Sequence, residues 1–408
     1  MTDITPARRV AFNTLLRVET HAAYAVELLN ADPATRLSPV DHGLAQEIVY
    51  GCLRRQGELD WLIHRYSRKD PAAFDAEVRV ALRMGVYQIR FLTRIPASAA
   101  VDQSVELTSK SGKRSASGLV NAVLRKVKPE AEERFDMPDT ARLSTPAWLL
   151  ERWGHEIAAL NLERPVTFVR LPPGLLVDLP RGRYVRNCGI AQGHTVFPIQ
   201  DEASQMIPYL LDAQSGDWIL DLCAAPGNKT DSVAELAPGA KIIACDKHVA
   251  RLAAMSRAHM RVALDGAASL PLARSGAFDR ILLDAPCSGT GTVRRNPEIK
   301  WRLRPDNLEQ LAALQSRLLD NAIGALAPGG RLVYSTCSLE PEENEWVVEE
   351  MLARRPEVTL RPASAERERL RDAFTPEGLA LLGDPYFRAR PSPHGSDGFF
   401  AAILLRTP

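Results

Sequence analysis

The chain has 408 residues, 45% hydrophobic and 25% charged, with a net charge of +1. That length suits two or three domains with sizeable cores, and so even a charge balance does not by itself imply a nucleic-acid partner. No apolar run approaches the ~18 residues of a membrane span, and the start, MTDITPARRVAFNTLL, lacks a signal-peptide core; a cytoplasmic protein with no membrane partner is expected.

Residues 5–128 carry apolar side chains at three- and four-residue spacings, as in RRVAFNTLLRVETHAAYAVELL and VRVALRMGVYQIRFL, and predict a compact all-helical domain. Ser38 with Asp41 suits a helix start, and Pro96 a helix end. Met1 to Lys128 holds 19 Lys and Arg against 13 Asp and Glu, leaving the remainder at −5. A mildly basic front part suits an anionic partner. Residues 129–140, PEAEERFDMPDT, are charged and poor in apolar residues, as a linker is. Residues 141–205 read as mixed: an amphipathic helix in PAWLLERWGHEIAALNL, a turn at Pro172 and Pro173, and short strands or loops in RGRYVRNCG and HTVFPIQDEAS.

From residue 206 short β-type runs alternate with helical stretches. The runs are WILDLC (218–223), KIIACD (241–246), RILLDA (280–285) and RLVYSTC (331–337). Between the last two, DNLEQLAALQSRLLDNAIGALAPGG reads as a helix, with Asp306 and Glu309 at its start and Gly329 after its end. Alternation of this kind implies an α/β fold with a parallel sheet covered on both faces. The expected domains are 1–130, all-helical; 131–205, a linker and small mixed subdomain; and 206–408, the α/β domain.

Ligands of such sheets bind outside the carboxyl ends of the strands. Here those ends carry Asp221, Asp246, Asp284 and Cys337, a set hard to explain as solvated surface. DLCAAPGNKT (221–230) is a strand, a small-residue loop and a helix start, which lets a ligand approach the backbone closely. It has neither Walker A nor GxGxxG spacing, so a nucleotide-like ligand without a triphosphate fits better. Asp246 stands where an acid can hold two ribose hydroxyls.

Of six cysteines, none forms a CxxC or CxxH pair, so zinc and a disulfide framework are not expected. Four read as buried thiols. Cys287 follows the strand ending at Asp284, and Cys337 ends the next strand, so both thiols and a carboxyl group are expected to open onto one cleft. TVRRNPEIKWRLRP (292–305) then places Arg294, Arg295, Lys300, Arg302 and Arg304 around Trp301, a pattern that suits a nucleic-acid strand or, equally, a solvated basic face.

DLCAAPGNKT, LLDAPCSGTGTVRRNPEIKW and YSTCSLEPEENE resemble the motifs of the RNA 5-methylcytosine methyltransferases, S-adenosylmethionine enzymes of the Sun/Fmu superfamily. IQDEASQ (199–205) and HGSDGFFAAIL (394–404) resemble its flanking motifs. ARRVAFNTLL, YGCLRR, VYQIRFLTRIPASAAVDQSVEL and GLVNAVLR are similar to a NusB-type RNA-binding helical domain. The resemblance covers most of the chain. It implies an all-helical NusB-like domain followed by a Rossmann-like methyltransferase domain that methylates carbon 5 of a cytosine in 16S rRNA. S-adenosylmethionine would lie over Cys223, Ala224, Ala225, Pro226, Gly227, Asn228 and Lys229, with Asp246 on the ribose, Asp265 near the adenine and Asp284 near the methyl donor and the cytosine. Cys337 would be the nucleophile and Cys287 would assist release.

The chemistry explains the pairing. Carbon 5 of cytosine is a poor nucleophile until a thiolate adds to carbon 6. An acid at ring nitrogen 3 takes up the developing charge. After methyl transfer the carbon-5 proton must leave before the thiol is expelled, and a second polar group near that face is useful there. The chain departs from the family at Asn228, where a second glycine is usual and where tolerance of positive φ is expected of Asn, and in a shorter segment between Leu171 and Gln200. The expected partner is 16S rRNA or a small-subunit assembly intermediate, recognised by a monomer, with the target base splayed from a loop or single strand. Two other readings are a non-catalytic RNA-binding or assembly factor, disfavoured by the intact Asp284, Cys287 and Cys337, and a DNA cytosine methyltransferase, disfavoured by the TCS cysteine and the front domain.

Overall fold

The computed structural model describes residues 3–128, 136–256, 259–271 and 276–408. The chain divides into two compact units: Met1–Arg164 with Val293–Arg302, and Pro165–Thr292 with Leu303–Pro408. Residues 129–135 of the expected linker lie outside the described residues. Among the described residues no helix is long and apolar enough to cross a membrane.

The first unit is helical. Its main helices are Pro6–His21, Pro39–Arg54, Gln56–Ser67, Ala76–Phe91, Ala97–Thr108 and Ser117–Leu124. Their apolar stripes close on one core that includes Phe12, Leu15, Ile48, Leu62, Met84 and Leu124. Ser38 caps its helix as expected, accepting from Asp41 N–H at 3.2 Å. Pro96 does the opposite of what its position suggested. The preceding helix already stops at Phe91, and Pro96 is the cap that opens Ala97–Thr108, a place where its missing N–H costs nothing. Farther on, Ala147–Leu160 is helical with a break at Gly154, φ 74°, and Ser144 Oγ accepts from Glu58 N–H at 3.0 Å.

The segment Val293–Arg302 packs with these helices. Lys300 Nζ donates to Arg54 O at 2.9 Å, and Trp301 Nε1 to Leu53 O at 2.8 Å. Arg302 donates to Val18 O at 2.9 Å and Ala22 O at 2.8 Å. Arg294 Nε donates to Leu160 O at 3.1 Å. The carbonyls reached by Lys300, Trp301 and Arg302 are the orphan acceptors at two helix C-termini, which cations satisfy well. The basic stretch is therefore neither a solvated face nor a nucleic-acid track at Arg294 and Lys300, which are buried.

The second unit begins with a two-stranded antiparallel sheet, β1 (Phe168–Arg170) and β2 (Cys188–Ile190). The larger sheet contains β3 (Trp218–Asp221), β4 (Lys241–Asp246), β5 (Met260–Ala263), β6 (Phe278–Asp284), β7 (Leu326–Thr336), β8 (Val358–Arg361), β9 (Phe387–Ala389) and β10 (Phe399–Arg406). Their order is β5-β4-β3-β6-β7-β10-β8, with β9 also on β10. β3 to β7 pair in parallel, as the alternation predicts. β10 runs antiparallel between β7 and β8. FFAAILLR is apolar on both faces, which marks a central strand but does not encode its direction.

Helix Pro305–Ala325 starts one residue before Asp306, with Pro305 in its first turn and Asn307 Oδ1 accepting from Arg304 N–H at 3.0 Å. It passes straight into β7, so Gly329 lies within the strand rather than behind the helix. The strand order reverses at β3, between β4 and β6, so the loops after β3 and β6 flank the crevice where such sheets bind ligands.

Candidate active site

β3 ends at Asp221, and residues 222–227 form a tight loop into helix Asn228–Leu236. Gly227 sits at φ 108°, where a Cβ would lie 3.1 Å from Met255. Asn228 begins the helix and has no positive φ. The left-handed position is thus Gly227, and Asn228 needs no special backbone tolerance. Its Nδ2 donates to Ile199 O at 3.3 Å instead.

A hollow opens above the loop, lined by Ser204, Asp221, the stretch Cys223 to Lys229, and Asp284. Asp221 is buried. Its Oδ2 accepts from Thr230 Oγ1 at 2.7 Å, and among the described residues its Oδ1 has no hydrogen-bond partner within bonding geometry. Burial pushes its carboxyl up to about 7. Asp246, at the end of β4, accepts from Ala225 N–H at 3.2 Å and His248 N–H at 2.8 Å, and so braces the loop. Asp265 lies after β5, outside that lining, with Lys247 at 3.5 Å and Ala267 N–H at 3.0 Å; the backbone N–H of Ala267 holds its carboxyl below the usual range.

Lys229 reaches from the helix to the end of β6, with Nζ 2.6 Å from Asp284 Oδ2. Asp284 Oδ1 accepts from Ser335 Oγ at 2.8 Å, across the β6–β7 register pair Asp284–Ser335. Burial pulls the Lys229 ammonium down, but the touching Asp284 outweighs it, and Lys229 is held above the usual lysine range.

The parallel β6–β7 pair also brings the thiols together. Cys287 Sγ and Cys337 Sγ are 3.4 Å apart, both partly exposed. The two loops are stitched by Gly291 N–H to Cys337 O at 2.9 Å and Leu339 N–H to Thr290 Oγ1 at 2.8 Å. Gly398, from the segment HGSDGFF, donates to Gly291 O at 2.9 Å; a Cβ on Gly291 would lie 2.2 Å from Gly398 O. The hydrogen bond with Cys337 and burial push the Cys287 thiol well up, and the charge of Glu343 acts the same way. Burial likewise raises Cys52, Cys188, Cys223 and Cys245. Among the described residues no group of His, Cys, Asp or Glu could hold a metal ion.

Two thiols, a lysine–carboxylate pair and a hollow over a loop of small side chains thus share one end of the sheet. Residues 208–405 match the profile of the family described as 16S rRNA methyltransferase RsmB/F. The ribosomal RNA small subunit methyltransferase B of Erwinia tasmaniensis is 32% identical over 449 aligned residues, spanning 100% of both chains. The protein of that name from Cronobacter sakazakii is 32% identical, over 91% of this chain and 92% of its own. The chain belongs to the RsmB/F family. It is thereby an rRNA methyltransferase. Residues 5–129 match the NusB family, an RNA-binding helical domain. The crystal structure of PH0851 has the same fold, with 24% identity, a TM-score of 0.78 and coverage of 99% of this chain and 100% of that one.

In this RsmB/F-family enzyme several functional neighbours escaped sequence reasoning. Ser335 holds Asp284, and Glu343 joins Ser288 to Ser338. The Lys229–Asp284 pair escaped it too, being 55 residues apart in sequence. Glu343 had one available signal, its place in the quoted motif YSTCSLEPEENE, but an acidic run normally marks solvent-exposed chain.

Proposed function

We propose that the enzyme transfers a methyl group from S-adenosylmethionine to carbon 5 of a cytosine in 16S rRNA, through a covalent bond between Cys337 and carbon 6. The observation that carries this reading is the 3.4 Å approach of Cys287 and Cys337 beside the Lys229–Asp284 pair.

The cofactor fits the hollow on chemical grounds. Small side chains from Ala224 to Gly227 leave room for a nucleoside, and Asp221 keeps an oxygen without a partner among the described residues; Asp246, which braces the loop rather than lining the hollow, is assigned to the ribose hydroxyls. Asp265 is assigned to the adenine side. S-adenosylmethionine supplies an electrophilic methyl group on a sulfonium.

Cys337 contributes a thiolate that bonds to carbon 6, and the displaced electron pair makes carbon 5 nucleophilic. Asp284 faces ring nitrogen 3, and the proton it passes there is drawn from the Lys229 ammonium, to which it is joined. After methylation the carbon-5 proton leaves to water. The C–H electrons restore the ring double bond, Cys337 departs with the electron pair of the S–C bond, and nitrogen 3 returns its proton to the pair. The Cys287 S–H, in contact with Cys337, stabilises that departing sulfur.

The helical domain, residues 1–130, would hold the RNA, and residues 206–408 would carry the chemistry, in a cytoplasmic monomer acting on 16S rRNA or a small-subunit assembly intermediate. The relatives' name, with its small-subunit rRNA, supports that substrate. Methyl transfer to unmodified 16S rRNA, mapped by bisulfite sequencing, tests the reading. One protected cytosine is expected. Transfer to another atom, to duplex DNA only, or to nothing contradicts it.

A further inference from the structure

Ser288 follows Cys287, Ser338 follows Cys337, and both turn to one carboxylate. Glu343 is fully buried at 0% exposure. Its Oε1 accepts from Ser288 N–H at 2.8 Å and from Gln315 Nε2 at 3.0 Å. Its Oε2 accepts from Ser338 Oγ at 2.5 Å and from the Ser288 hydroxyl. Gln315 also donates to Pro286 O at 2.9 Å, on the other side of Cys287. None of these donors is a cation, so among the described residues the carboxylate is compensated by hydrogen bonds rather than by an ion pair. This is an expensive arrangement in a buried site, and it ties helix Pro305–Ala325 and both cysteine loops to one group.

The two thiols therefore stand in different fields. Lys229, across the site, interacts with Cys337. Cys287 faces the Glu343 carboxylate and Cys337, and its charge also acts on the Tyr334 hydroxyl, which donates to Glu343 O at 2.5 Å. A thiolate is favoured near a cation and opposed near a buried anion.

We propose that Glu343 is a positioning residue that locks the two cysteine loops in one geometry and divides the labour between the thiols by holding Cys287 as an S–H donor. The division of labour rests on the methyl-transfer reading; the field on Cys287 does not.

The test uses the full chain with Glu343→Gln, alone and with Cys337→Ser. The rate of Cys287 alkylation by iodoacetamide is followed against pH by mass spectrometry, without RNA or cofactor. In Glu343→Gln the Cys287 profile moves to lower pH by about one unit, roughly a ten-fold faster reaction at fixed pH. In the single mutant kcat falls on the order of 100-fold while KM for rRNA holds, as misplaced reacting groups require. Glu343→Asp, which keeps the charge but shortens the reach, leaves the Cys287 profile in place and lowers kcat, and it serves as the reporter if Glu343→Gln does not fold. An unchanged profile in folded Glu343→Gln, or a shifted profile in Glu343→Asp, overturns the proposal. A shifted profile in an enzyme that methylates no cytosine leaves the field on Cys287 standing and removes the methyl-transfer reading and the division of labour with it.

Discussion

Lys229 and Asp284 meet at 2.6 Å from a helix start and a strand end, and the second oxygen of Asp284 is held by Ser335 at 2.8 Å. Lys229 and Ser335 fix the carboxylate from both sides, where the proposed reaction would develop charge on the base. Lys229→Met removes the cation and leaves Asp284 with Ser335 alone. We predict a fall in kcat on the order of 100- to 1,000-fold, the usual cost of losing a group that stabilises transition-state charge, with little change in KM for rRNA. Steady-state kinetics check this, and an equal rise in KM with unchanged kcat would speak for a binding role.

Gly227 carries the left-handed turn beneath the cofactor loop, and a Cβ there meets Met255. Gly227→Ala is expected to strain the loop by about 1–2 kcal/mol and to weaken S-adenosylhomocysteine binding about ten-fold or more, measured by calorimetry. Asn228→Gly, at a helical position, should change binding by far less.

Asp221 is pushed up to about 7 by burial, with Asp284 nearby raising it further and Thr230 and Lys229 opposing. A carboxyl raised on folding favours the fold while it is protonated. Its contribution is full below about pH 4 and is lost as the pH rises through 7. The size is on the order of 4 kcal/mol. Asp221→Asn keeps the Thr230 contact and removes the titration. Its thermal midpoint should exceed the wild type by a small margin at pH 5 and by a clearly larger one at pH 8; equal differences at both would remove Asp221 as the source.

Lys300 is buried without a carboxylate, over the Trp301 ring at 5.3 Å, and burial, with Arg54 and Arg55, lowers it to about 7. An amine lowered on folding weakens the fold while it is charged. That penalty is full below about pH 7 and vanishes above about pH 10.4. Lys300→Met loses a hydrogen bond worth about 1 kcal/mol and the penalty with it, so the thermal midpoint should rise at pH 6 and change little at pH 9.5, where most of the penalty has gone. The salt dependence of rRNA affinity should not change; a slope lower by about one would mean a phosphate contact.

That lysine also shows where sequence reading ran out. TVRRNPEIKWRLRP is basic, and charge normally means solvent or phosphate. Only the folded chain shows the bare carbonyls at Leu53, Arg54, Val18 and Ala22 that these residues satisfy. Strand ends were legible because a polar residue after a buried apolar run has few places to go, and Asp221, Asp246 and Asp284 all end strands. The meeting of the thiols followed from parallel neighbours ending in step, which β6 and β7 are. The direction of β10 and the buried Glu343 were not legible. The first depends on chain connectivity, and the second on a carboxylate whose donors come from residues 28 and 55 positions away.

The central claim is that the two thiols act in sequence on one base, Cys337 making the bond and Cys287 assisting its release. The most direct measurement is a denaturant-resistant RNA–protein adduct, sought with unmodified 16S rRNA and S-adenosylmethionine in the wild type, Cys287→Ala, Cys337→Ala and the double mutant. Accumulation of adduct in Cys287→Ala alone is the predicted result. An adduct in Cys337→Ala that is lost in Cys287→Ala would exchange the roles, and methyl transfer that survives in Cys337→Ala would contradict the covalent route itself.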